Sequence, residues 1–581
     1  MKKQLATIAL IGISLSTIFA QELVKDINPN TADSEPRNFS KIGDKAFFVA
    51  EAQGSGIELW TTDGTEAGTV LLKDIDAGNG QGVSGDVEVL ELNGNAIFSA
   101  NDGSAGKELW ISDGTTAGTN LLKEIHGSPT AGNGSFPKYL TKMGNEIFFN
   151  ASDKFAGVYN EELWKTDGTA AGTVMVKEIN TSTRSRPEYL TEMNGKIYFS
   201  ADDGTGKALW ATDGTDAGTV KIKSNSGGAA FSPQDIIKMG DEIFFNAYDS
   251  GNNNELWKSD GTEAGTVLVK DIASGPAAGS EPDNFIVVEN TLYFKVSGGD
   301  LWKTDGTNAG TVLVTNSFNV FDMISFKDVL YFVGDNGSVG REIYNIDAAG
   351  LPQLVKDVQT GPNSGLGTSE NFEVHGSMLY FSAILPFADA KLWQTDGTEV
   401  GTMEVPNAPS ILSDPEYMYS SGNKLFFAAS DYSAGGTGTE LWVFDNLSSS
   451  ELSETACPSY TYEGTDYTQT GDYAFVYDNA LGYDSTFTLK LTIDCDTSGN
   501  VGISNLQEFE VNAFPNPLGN VLNISSEEKL KSISLVNING AVIKSFNPSL
   551  KSFDVSTVSK GIYFLEVTSA EKKSIIKIIK K

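Results

Sequence analysis

Histidine and cysteine, which often serve as catalytic residues and metal ligands, are scarce in this chain. Its 581 residues include two His and two Cys, which excludes a His- or Cys-rich metal enzyme. Positive charge is also scarce, because 41 Lys and Arg stand against 76 Asp and Glu and leave a formal net charge of -35. A surface this acidic repels phosphate backbones, so the composition argues against nucleic acid as a partner.

Long apolar runs are also rare, and the one at the start of the chain has a specific explanation. Two lysines precede the apolar residues 5–19, and the small Ala20 stands before Gln21. This pattern predicts a secretory signal peptide over residues 1–20 that is cut between Ala20 and Gln21. An N-terminal anchor helix is the alternative, but the run is short for a membrane span. No later run is long enough either, so we expect no transmembrane segment.

Against these absences, one motif recurs through most of the chain. It reads E-L-W-T-T-D-G-T at residues 58–65, and a degenerate copy carries Tyr344 in place of the Trp. The other copies are marked by all eight tryptophans of the sequence: Trp60, Trp110, Trp164, Trp210, Trp257, Trp302, Trp393 and Trp442. Successive copies lie 42 to 54 residues apart, which is typical of a repeat architecture.

Each repeat contains four short strand patterns. In the fourth repeat these are residues 187–193, 196–201, 208–212 and 219–223, which are rich in β-branched or aromatic residues and separated by Gly, Asn or Asp. Neighbouring positions within the strands are apolar, so both faces of each sheet are covered. This pattern predicts a β-propeller blade, and an open stacked solenoid is the alternative.

The ends of the repeat region favour a closed ring. Residues 22–27 match the fourth strand of later repeats, such as residues 267–272, and the last repeat stops after its third strand, residues 440–444. Closure by the N-terminal strand would remove exposed sheet edges. We therefore predict an all-β fold with a large single-ring β-propeller over residues 21–445. It has about nine four-stranded blades, with eight as the alternative, and the N-terminal strand closes the last blade.

The repeat resembles that of a family of bacterial surface proteins named for the motif E-L-W-x-x-D-G-T. The resemblance is most complete at residues 255–272. It implies a secreted, propeller-like protein, and it implies no enzyme activity.

Every repeat also has an Asp in the turn after its third strand. An Asp carboxylate accepts the backbone N–H two residues further on, so we interpret this set as structural. Calcium bound by the carboxylates is the alternative, but one carboxylate per repeat is too few for its six to eight oxygen ligands. We therefore predict no catalytic, cofactor or metal residues in the set, which comprises Asp63, Asp113, Asp167, Asp213, Asp260, Asp305, Asp347, Asp396 and Asp445.

Two smaller segments follow the repeats. Residues 446–455 and 497–510 are polar and are predicted to be linkers. Between them, residues 456–496 resemble a small β-module common in secreted Bacteroidetes proteins, and we interpret this segment as a spacer. Its two cysteines, Cys457 and Cys495, could form a disulfide after export.

The last segment, residues 511–581, has a net positive charge and the short strands and Asn-Gly turns of a β-sandwich. Its motifs, Phe514-Pro515-Asn516-Pro517 and Gly561-Ile562-Tyr563, resemble the type A C-terminal sorting domain of the Bacteroidetes type IX secretion system. The resemblance implies passage through the type IX machinery and removal of this domain. It also implies release of the protein or its attachment to surface lipopolysaccharide.

Secretion and a rigid repeat scaffold together favour a non-catalytic binding or adhesion protein for a glycan or a protein. An extracellular polysaccharide hydrolase or lyase is the first alternative, because propellers also carry such enzymes. A structural matrix protein without a ligand is the second. No paired carboxylates stand out from the repeat pattern as the acid and base that a hydrolase needs.

The connections between strands predict where a ligand binds. In an up-and-down blade, the first–second and third–fourth connections share one edge of the sheets, and they are nearly uniform in sequence. The second–third and fourth-to-next connections share the other edge, and they vary. Loops that differ between repeats are not fixed by the fold, so their residues can serve to bind a ligand. The candidate residues on this edge are Tyr159, Arg184, Arg186, Phe387, Tyr432, Asp153 and Asp203.

Overall fold

The computed structural model describes residues 20–580, apart from residues 30, 79, 84–86, 105, 128–133, 154–159, 226–229, 250–252, 274–278, 368–371, 385–388, 407–408, 410, 434, 446–448, 457–458, 463–464, 479–483, 494–510, 538–541 and 570–571. All regular elements in this part of the chain are β-strands. Within it there is accordingly no helix with the length and apolar character needed to cross a membrane. The predicted signal peptide lies outside the described residues up to position 19, and Ala20 and Gln21 begin the first strand.

The chain divides into two units, of which the larger is Ala20–Asp445 and the smaller contains Asn446–Lys581. In the described residues of the larger unit, 36 strands form nine four-stranded antiparallel sheets. The first strand of the chain is β1 (Ala20–Lys25). The first sheet consists of β2 (Arg37–Ile42), β3 (Lys45–Ala52), β4 (Gly56–Thr62) and β5 (Val70–Leu71). The second consists of β6 (Leu90–Leu92), β7 (Asn95–Asn101), β8 (Lys107–Ser112) and β9 (Asn120–Lys123). The third consists of β10 (Lys138–Met143), β11 (Glu146–Ser152), β12 (Glu161–Thr166) and β13 (Val174–Lys177).

The next three sheets repeat this order of strands. The fourth sheet consists of β14 (Glu188–Met193), β15 (Lys196–Asp202), β16 (Lys207–Thr212) and β17 (Val220–Lys223). The fifth consists of β18 (Gln234–Met239), β19 (Glu242–Asp249), β20 (Asn253–Ser259) and β21 (Val267–Lys270). The sixth consists of β22 (Asp283–Val288), β23 (Thr291–Lys295), β24 (Leu301–Thr304) and β25 (Val312–Thr315).

The last three sheets end with the one that the N-terminal strand completes. The seventh sheet consists of β26 (Asn319–Phe326), β27 (Val329–Asp335), β28 (Arg341–Ile346) and β29 (Pro352–Lys356). The eighth consists of β30 (Glu373–His375), β31 (Met378–Ile384), β32 (Ala390–Thr395) and β33 (Met403–Glu404). The ninth consists of β34 (Ser413–Ser421), β35 (Lys424–Asp431), β36 (Gly438–Asp445) and β1, in that spatial order.

The second and third strands of each sheet are buried on both faces, as the sequence pattern predicts. In β15, Ile197, Tyr198 and Phe199 are all buried although their side chains alternate between faces. The hairpin that precedes β15 turns through Asn194 and Gly195, which both have positive φ, as this two-residue turn requires.

The N-terminal strand pairs antiparallel with the last strand of the larger unit, which is the pairing predicted from the sequence. In the ladder between β1 and β36, Gln21 lies opposite Phe444 and Leu23 lies opposite Trp442. The orphan strand at the start of the chain therefore supplies the fourth strand that the last repeat lacks.

Apolar clusters join the sheets to their neighbours. Phe47 and Val49 of the first sheet, for example, pack in one cluster with Phe98 of the second sheet. The ninth sheet packs against the first in the same way, since Phe48 and Val443 belong to one cluster. Lysines on the fourth strands, or directly after them, add polar links between sheets. Each donates to a backbone carbonyl in the following sheet's third–fourth turn, and they include Lys25, Lys73, Lys123, Lys177, Lys270 and Lys356.

The smaller unit begins with a strand where a linker was predicted. Ser449–Ala456 forms β37, so the predicted linker at residues 446–455 is wrong for most of its length. This strand pairs in parallel with β41 (Asp484–Ile493), which satisfies its backbone groups although its sequence is polar. Further strands of this segment are β38 (Tyr460–Tyr462), β39 (Thr465–Tyr467) and β40 (Gly471–Asp478). Cys457, Cys495 and the second predicted linker, 497–510, lie outside the described residues.

The last segment forms two sheets around one core. One sheet contains β42 (Val511–Phe514), β43 (Val521–Ser526) and β46 (Ser552–Asp554). The other contains β44 (Ser532–Asn537), β45 (Val542–Phe546), β47 (Gly561–Thr568) and β48 (Lys573–Lys580). Leu522, Phe553, Leu535 and Leu565 bring both sheets into the same apolar cluster, which is the arrangement of a β-sandwich.

Candidate functional site

The first–second and third–fourth connections lie on one edge of the nine sheets, which we call the turn edge; residues 194–195 and 213–218 are examples. The turn at residues 63–69 shows how its polar groups are used. Asp63 Oδ1 accepts hydrogen bonds from the backbone N–H and the hydroxyl of Thr65, at 2.9 and 2.7 Å. The Thr65 hydroxyl oxygen accepts from Gly68 N–H at 2.9 Å, and Thr69 Oγ1 donates to the Thr65 carbonyl.

The same bonds recur in most of the predicted Asp set. The hydrogen bond from the Thr115 hydroxyl lowers the pKa of Asp113, and equivalent bonds are made by Asp167, Asp213, Asp260, Asp305 and Asp396. Asp347 accepts from the backbone of Ala349 and Leu351 instead, and Asp445 forms an ion pair with Lys424 at 2.7 Å. The predicted structural hydrogen bonds of the Asp turn are therefore present, with two departures in detail.

A second repeated carboxylate, the Glu at the start of the motif, was missed in the sequence analysis. Glu162 is fully buried, and its carboxylate accepts hydrogen bonds from the backbone N–H groups of Ile179 and Asn180 and from Ser185 Oγ, at 2.9, 3.2 and 2.6 Å. These donors belong to the connection that leads to the next sheet. The same role is filled by Glu58, Glu108, Glu255, Glu342 and Glu440. The signal was the Glu that stands two residues before five of the eight tryptophans and before Tyr344.

Burial raises the pKa of several of these carboxyls to about 7, namely those of Glu58, Glu162, Glu342 and Glu440. A pKa in this range is what a general acid requires. Each of these carboxylates is nevertheless buried and accepts hydrogen bonds from loop N–H groups, so we interpret its role as stabilising the loop and not as catalysis.

The other edge carries the second–third and fourth-to-next connections, and we call it the loop edge; residues 203–206 and 181–187 are examples. Arg184 lies here, and its Nη1 is 3.2 Å from Glu161 Oε1 at the start of β12. Arg186 has a φ of 47°, and its backbone N–H donates to the Glu161 carbonyl. The structure therefore brings both predicted arginines next to Glu161.

The remaining candidates on the loop edge are spread over other sheets. Asp153 accepts a hydrogen bond from Asn160 Nδ2 at 2.8 Å, and Asp203 is bonded to Thr205 and paired with Lys221. Tyr432 is 63% exposed, and its hydroxyl contacts Asp33 and Thr439. Tyr159 and Phe387 lie outside the described residues. The candidates thus share an edge but do not converge on one site.

One cleft on the loop edge contains Arg184, and we call it the arginine cleft. It has a volume of about 250 Å³ and is lined by Ser135, Phe136, Lys138, Asn150, Ser152, Glu161 and Arg184. Phe136 is 42% exposed although it is aromatic, and its backbone has a φ of 49°. Ser152 is only 2% exposed, and its Oγ has no hydrogen-bond partner among the residues that the structure describes. An exposed ring, an Arg–Glu pair and an unsatisfied hydroxyl together suit a ligand that is both apolar on one face and rich in hydroxyl groups.

A larger cleft of about 640 Å³ opens on the loop edge between the fifth, sixth and seventh sheets, and we call it the amide cleft. Its lining is Gln234, Asp235, Asn246, Asn254, Glu281, Asp283, Lys295, Val296, Ser297, Gly298, Gly299, Asn319 and Val320. Partial desolvation raises the pKa of Asp235, and the negative charge of Asp283 raises it further. In the described part of the chain, no group of three or more His, Cys, Asp or Glu side chains is placed to hold a metal ion.

In the last segment, a motif residue that follows β42 forms hydrogen bonds with the last strand, β48. Asn516 Nδ2 donates to the Lys577 carbonyl at 2.7 Å, and Asn516 Oδ1 accepts from Ile579 N–H at 2.9 Å. Phe514 is half exposed at the end of β42 beside Pro515 and Pro517, while Gly561 begins β47. Tyr563 is buried, and its hydroxyl donates to the Ser559 carbonyl.

Comparison with known proteins identifies this last segment. Residues 512–581 match the family described as secretion system C-terminal sorting domain. No curated protein matches the chain.

Solved structures match over a larger part of the chain at low identity. The computationally designed Ika8 protein is 12% identical, with 61% of this chain and 95% of that chain covered and a TM-score of 0.34. BamB from Moraxella catarrhalis is 12% identical, with 62% and 96% covered and a TM-score of 0.31. Puromycin hydrolase is 11% identical, with 81% and 68% covered and a TM-score of 0.33. By the family match, residues 512–581 are a type IX sorting domain, and the protein that carries it is exported for secretion or for display at the cell surface.

Proposed function

We propose that this exported protein is a binding or adhesion scaffold for a glycan or a protein, and that residues 21–445 form a closed β-propeller of nine blades. Nine sheets of one pattern support the blade count. The shared cluster of the ninth and first sheets supports closure, as does the stacking of Phe39 on Tyr419 at 5.7 Å between ring centroids. The motif Glu-Leu-Trp-x-x-Asp-Gly-Thr supports membership of the bacterial surface proteins that the repeat resembles.

The observation that carries this proposal is the contrast between the two edges of the sheets. On the turn edge, Asp, Thr and Gly satisfy one another's hydrogen-bonding groups in the third–fourth turns of seven sheets, and these turns are nearly identical. On the loop edge, the connections differ from sheet to sheet and clefts with different linings open, among them the arginine cleft and the amide cleft. A scaffold whose loops are uniform on one edge and different on the other is suited to bind a ligand at the edge with the different loops.

A saccharide fits the arginine cleft better than a purely apolar ligand does. Sugar rings present C–H groups to an aromatic face and hydroxyl groups to charged and amide side chains. Phe136 supplies the face, while Arg184, Glu161 and Ser152 supply charge-assisted or neutral hydrogen bonds. The volume of about 250 Å³ suits a ligand unit of one sugar ring.

Two alternatives remain as hypotheses. A hydrolase or lyase would use carboxylates as acid and base, but the carboxyls with a pKa of about 7 are enclosed by loop N–H groups. A matrix protein would need no ligand. We also propose attachment to surface lipopolysaccharide after the sorting domain is removed, with the type IX machinery as the partner during export.

Replacing Arg184 tests the proposal. We expect Arg184→Ala to weaken binding to a glycan array about tenfold, since it removes a charge-assisted hydrogen-bond donor. The ion pair with Glu161 is partly exposed, so the Tm should change by no more than a few degrees. Glu263→Gln, which alters an exposed residue of the turn edge, is the matched control and should bind normally.

Equal binding by Arg184→Ala, Phe136→Ala and the unaltered protein would contradict the arginine cleft as a ligand site. Turnover of any saccharide in the same array would favour the hydrolase or lyase instead.

A further inference from the structure

The amide cleft contains a buried oxygen to which no described residue donates a hydrogen bond. This oxygen is Oδ1 of Asn246, a residue that is only 7% exposed. The equivalent residue in the third sheet is Asn150, whose Nδ2 donates to the Pro187 carbonyl at 3.0 Å. A buried acceptor left unsatisfied costs about 1–3 kcal/mol, so a ligand that donates a hydrogen bond to it would remove this cost.

The charged side chains that line this cleft are mostly negative. Asp235, Glu281 and Asp283 line the cleft, and none of the three forms an ion pair among the described residues. Lys295 is the one cationic side chain among the described residues of the lining; it lies opposite Asp283 in the ladder of β22 and β23, and its charge also acts on Asp322 of the seventh sheet. Burial raises the pKa of Asp322, and Lys295 opposes that rise. The cleft therefore offers acceptors and negative charge to a ligand that donates and is positively charged.

The neutral part of the lining excludes a long apolar group. Asn254 and Asn319 present amides, and only Val296 and Val320 are apolar, both of them buried. A Cβ at Gly299 would lie 2.9 Å from Asn319 Oδ1, so the glycine leaves room for this amide. A lysine side chain would need apolar walls for its four-carbon stem, whereas a polyhydroxylated ring pairs its hydroxyls with amides.

We propose that the amide cleft binds a saccharide with a free amino group, in which the ammonium lies near Asp235 and Asp283 and donates to Asn246 Oδ1. This inference rests on the proposed binding function and assigns a second ligand site, distinct from the arginine cleft. Because the site is open to solvent on the loop edge, it has room for an internal sugar unit of a polysaccharide as well as for a single sugar.

Two matched saccharides and three variants test it. Isothermal titration of the exported protein with a glucosamine trimer should show binding, and the N-acetylglucosamine trimer should bind about tenfold more weakly because acetylation removes the charge. Asp283→Asn keeps the shape of the side chain and should weaken binding of the glucosamine trimer about tenfold. Asn246→Leu, which removes the orphan oxygen, should weaken it too, and Glu263→Gln should leave it unchanged.

Equal affinities for the two trimers would overturn the proposal, as would full affinity in Asp283→Asn. Preference for an oligolysine peptide over the glucosamine trimer would overturn the saccharide class. If neither trimer binds while Arg184→Ala weakens binding of another glycan, this site is wrong and the binding function stands. If no glycan or protein binds anywhere, both proposals fail.

Discussion

Glu162→Ala is expected to destabilise the larger unit by about 2–4 kcal/mol, because two buried backbone N–H groups lose their acceptor. Those groups belong to Ile179 and Asn180, both of which are buried. Ser185 Oγ also loses a bond but keeps its contact with the Glu161 carbonyl. Urea unfolding followed by Trp fluorescence measures the change, since Trp164 lies two residues away on the same strand.

The neighbouring Glu161 gives a matched control for this prediction. Glu161 is partly exposed and pairs with Arg184 across 3.2 Å, so Glu161→Ala should cost no more than about 1 kcal/mol. Equal losses in the two variants would show that the enclosed carboxylate does not brace the loop.

The same carboxylate gives stability a defined pH dependence. Burial raises the pKa of Glu162 from 4.5 to about 7. Between these values the unfolded chain releases the proton and the folded chain keeps it, so the free energy of unfolding falls as the pH rises. The stabilisation is complete below pH 4.5 and lost above about pH 7. Glu162→Gln should therefore show a smaller loss of stability between pH 5 and pH 7.5 than the unaltered protein.

Removal of the N-terminal strand is the second change with a large expected effect. A chain that begins at Pro29 lacks β1 and loses its ladder with β36, together with the buried side chains of Val24 and Ile27. It also leaves the Glu440 carboxylate without the N–H groups of Ile27 and Asn28. Each buried aliphatic side chain is worth about 1.5–3 kcal/mol. The Tm should therefore fall by roughly 5 °C or more compared with a chain that begins at Gln21.

The control for this truncation is Glu22→Ala, which alters an exposed residue of β1 and leaves the ladder intact. It should unfold at the temperature of the unaltered protein. A chain beginning at Pro29 that unfolds with an unchanged Tm would show that closure by the N-terminal strand contributes no stability.

Much of the sheet architecture followed from local patterns in the sequence. The paired apolar positions Ile197 and Tyr198 predicted a sheet covered on both faces, and residues 22–27 predicted the pairing with the last sheet. Both predictions depend on strand periodicity and on turn residues, which are visible in the sequence itself. The strand Ser449–Ala456 was missed because its residues are polar and its pairing with β41 is long-range.

The candidate site was predictable as an edge but not as a cleft. Strand order places Arg184, Asp203 and Tyr432 on the loop edge, yet their positions in different sheets keep them apart. The bulges of the first strands also had no signal, because Tyr189 and Asp235 take positive φ without being glycines. These bulges shift the register next to the clefts, so the identity of the lining residues depends on backbone geometry that a repeat pattern does not encode.

The most direct test of the account is hydrogen exchange of the exported protein with and without a glycan that it binds. If ligands bind the loop edge, protection should increase at residues 135–138 and 181–187 or at residues 281–283 and 295–299, while the turns at residues 63–69 and 213–218 stay unchanged. Protection confined to the Asp-Gly-Thr turns would contradict the assignment of the loop edge as the binding surface.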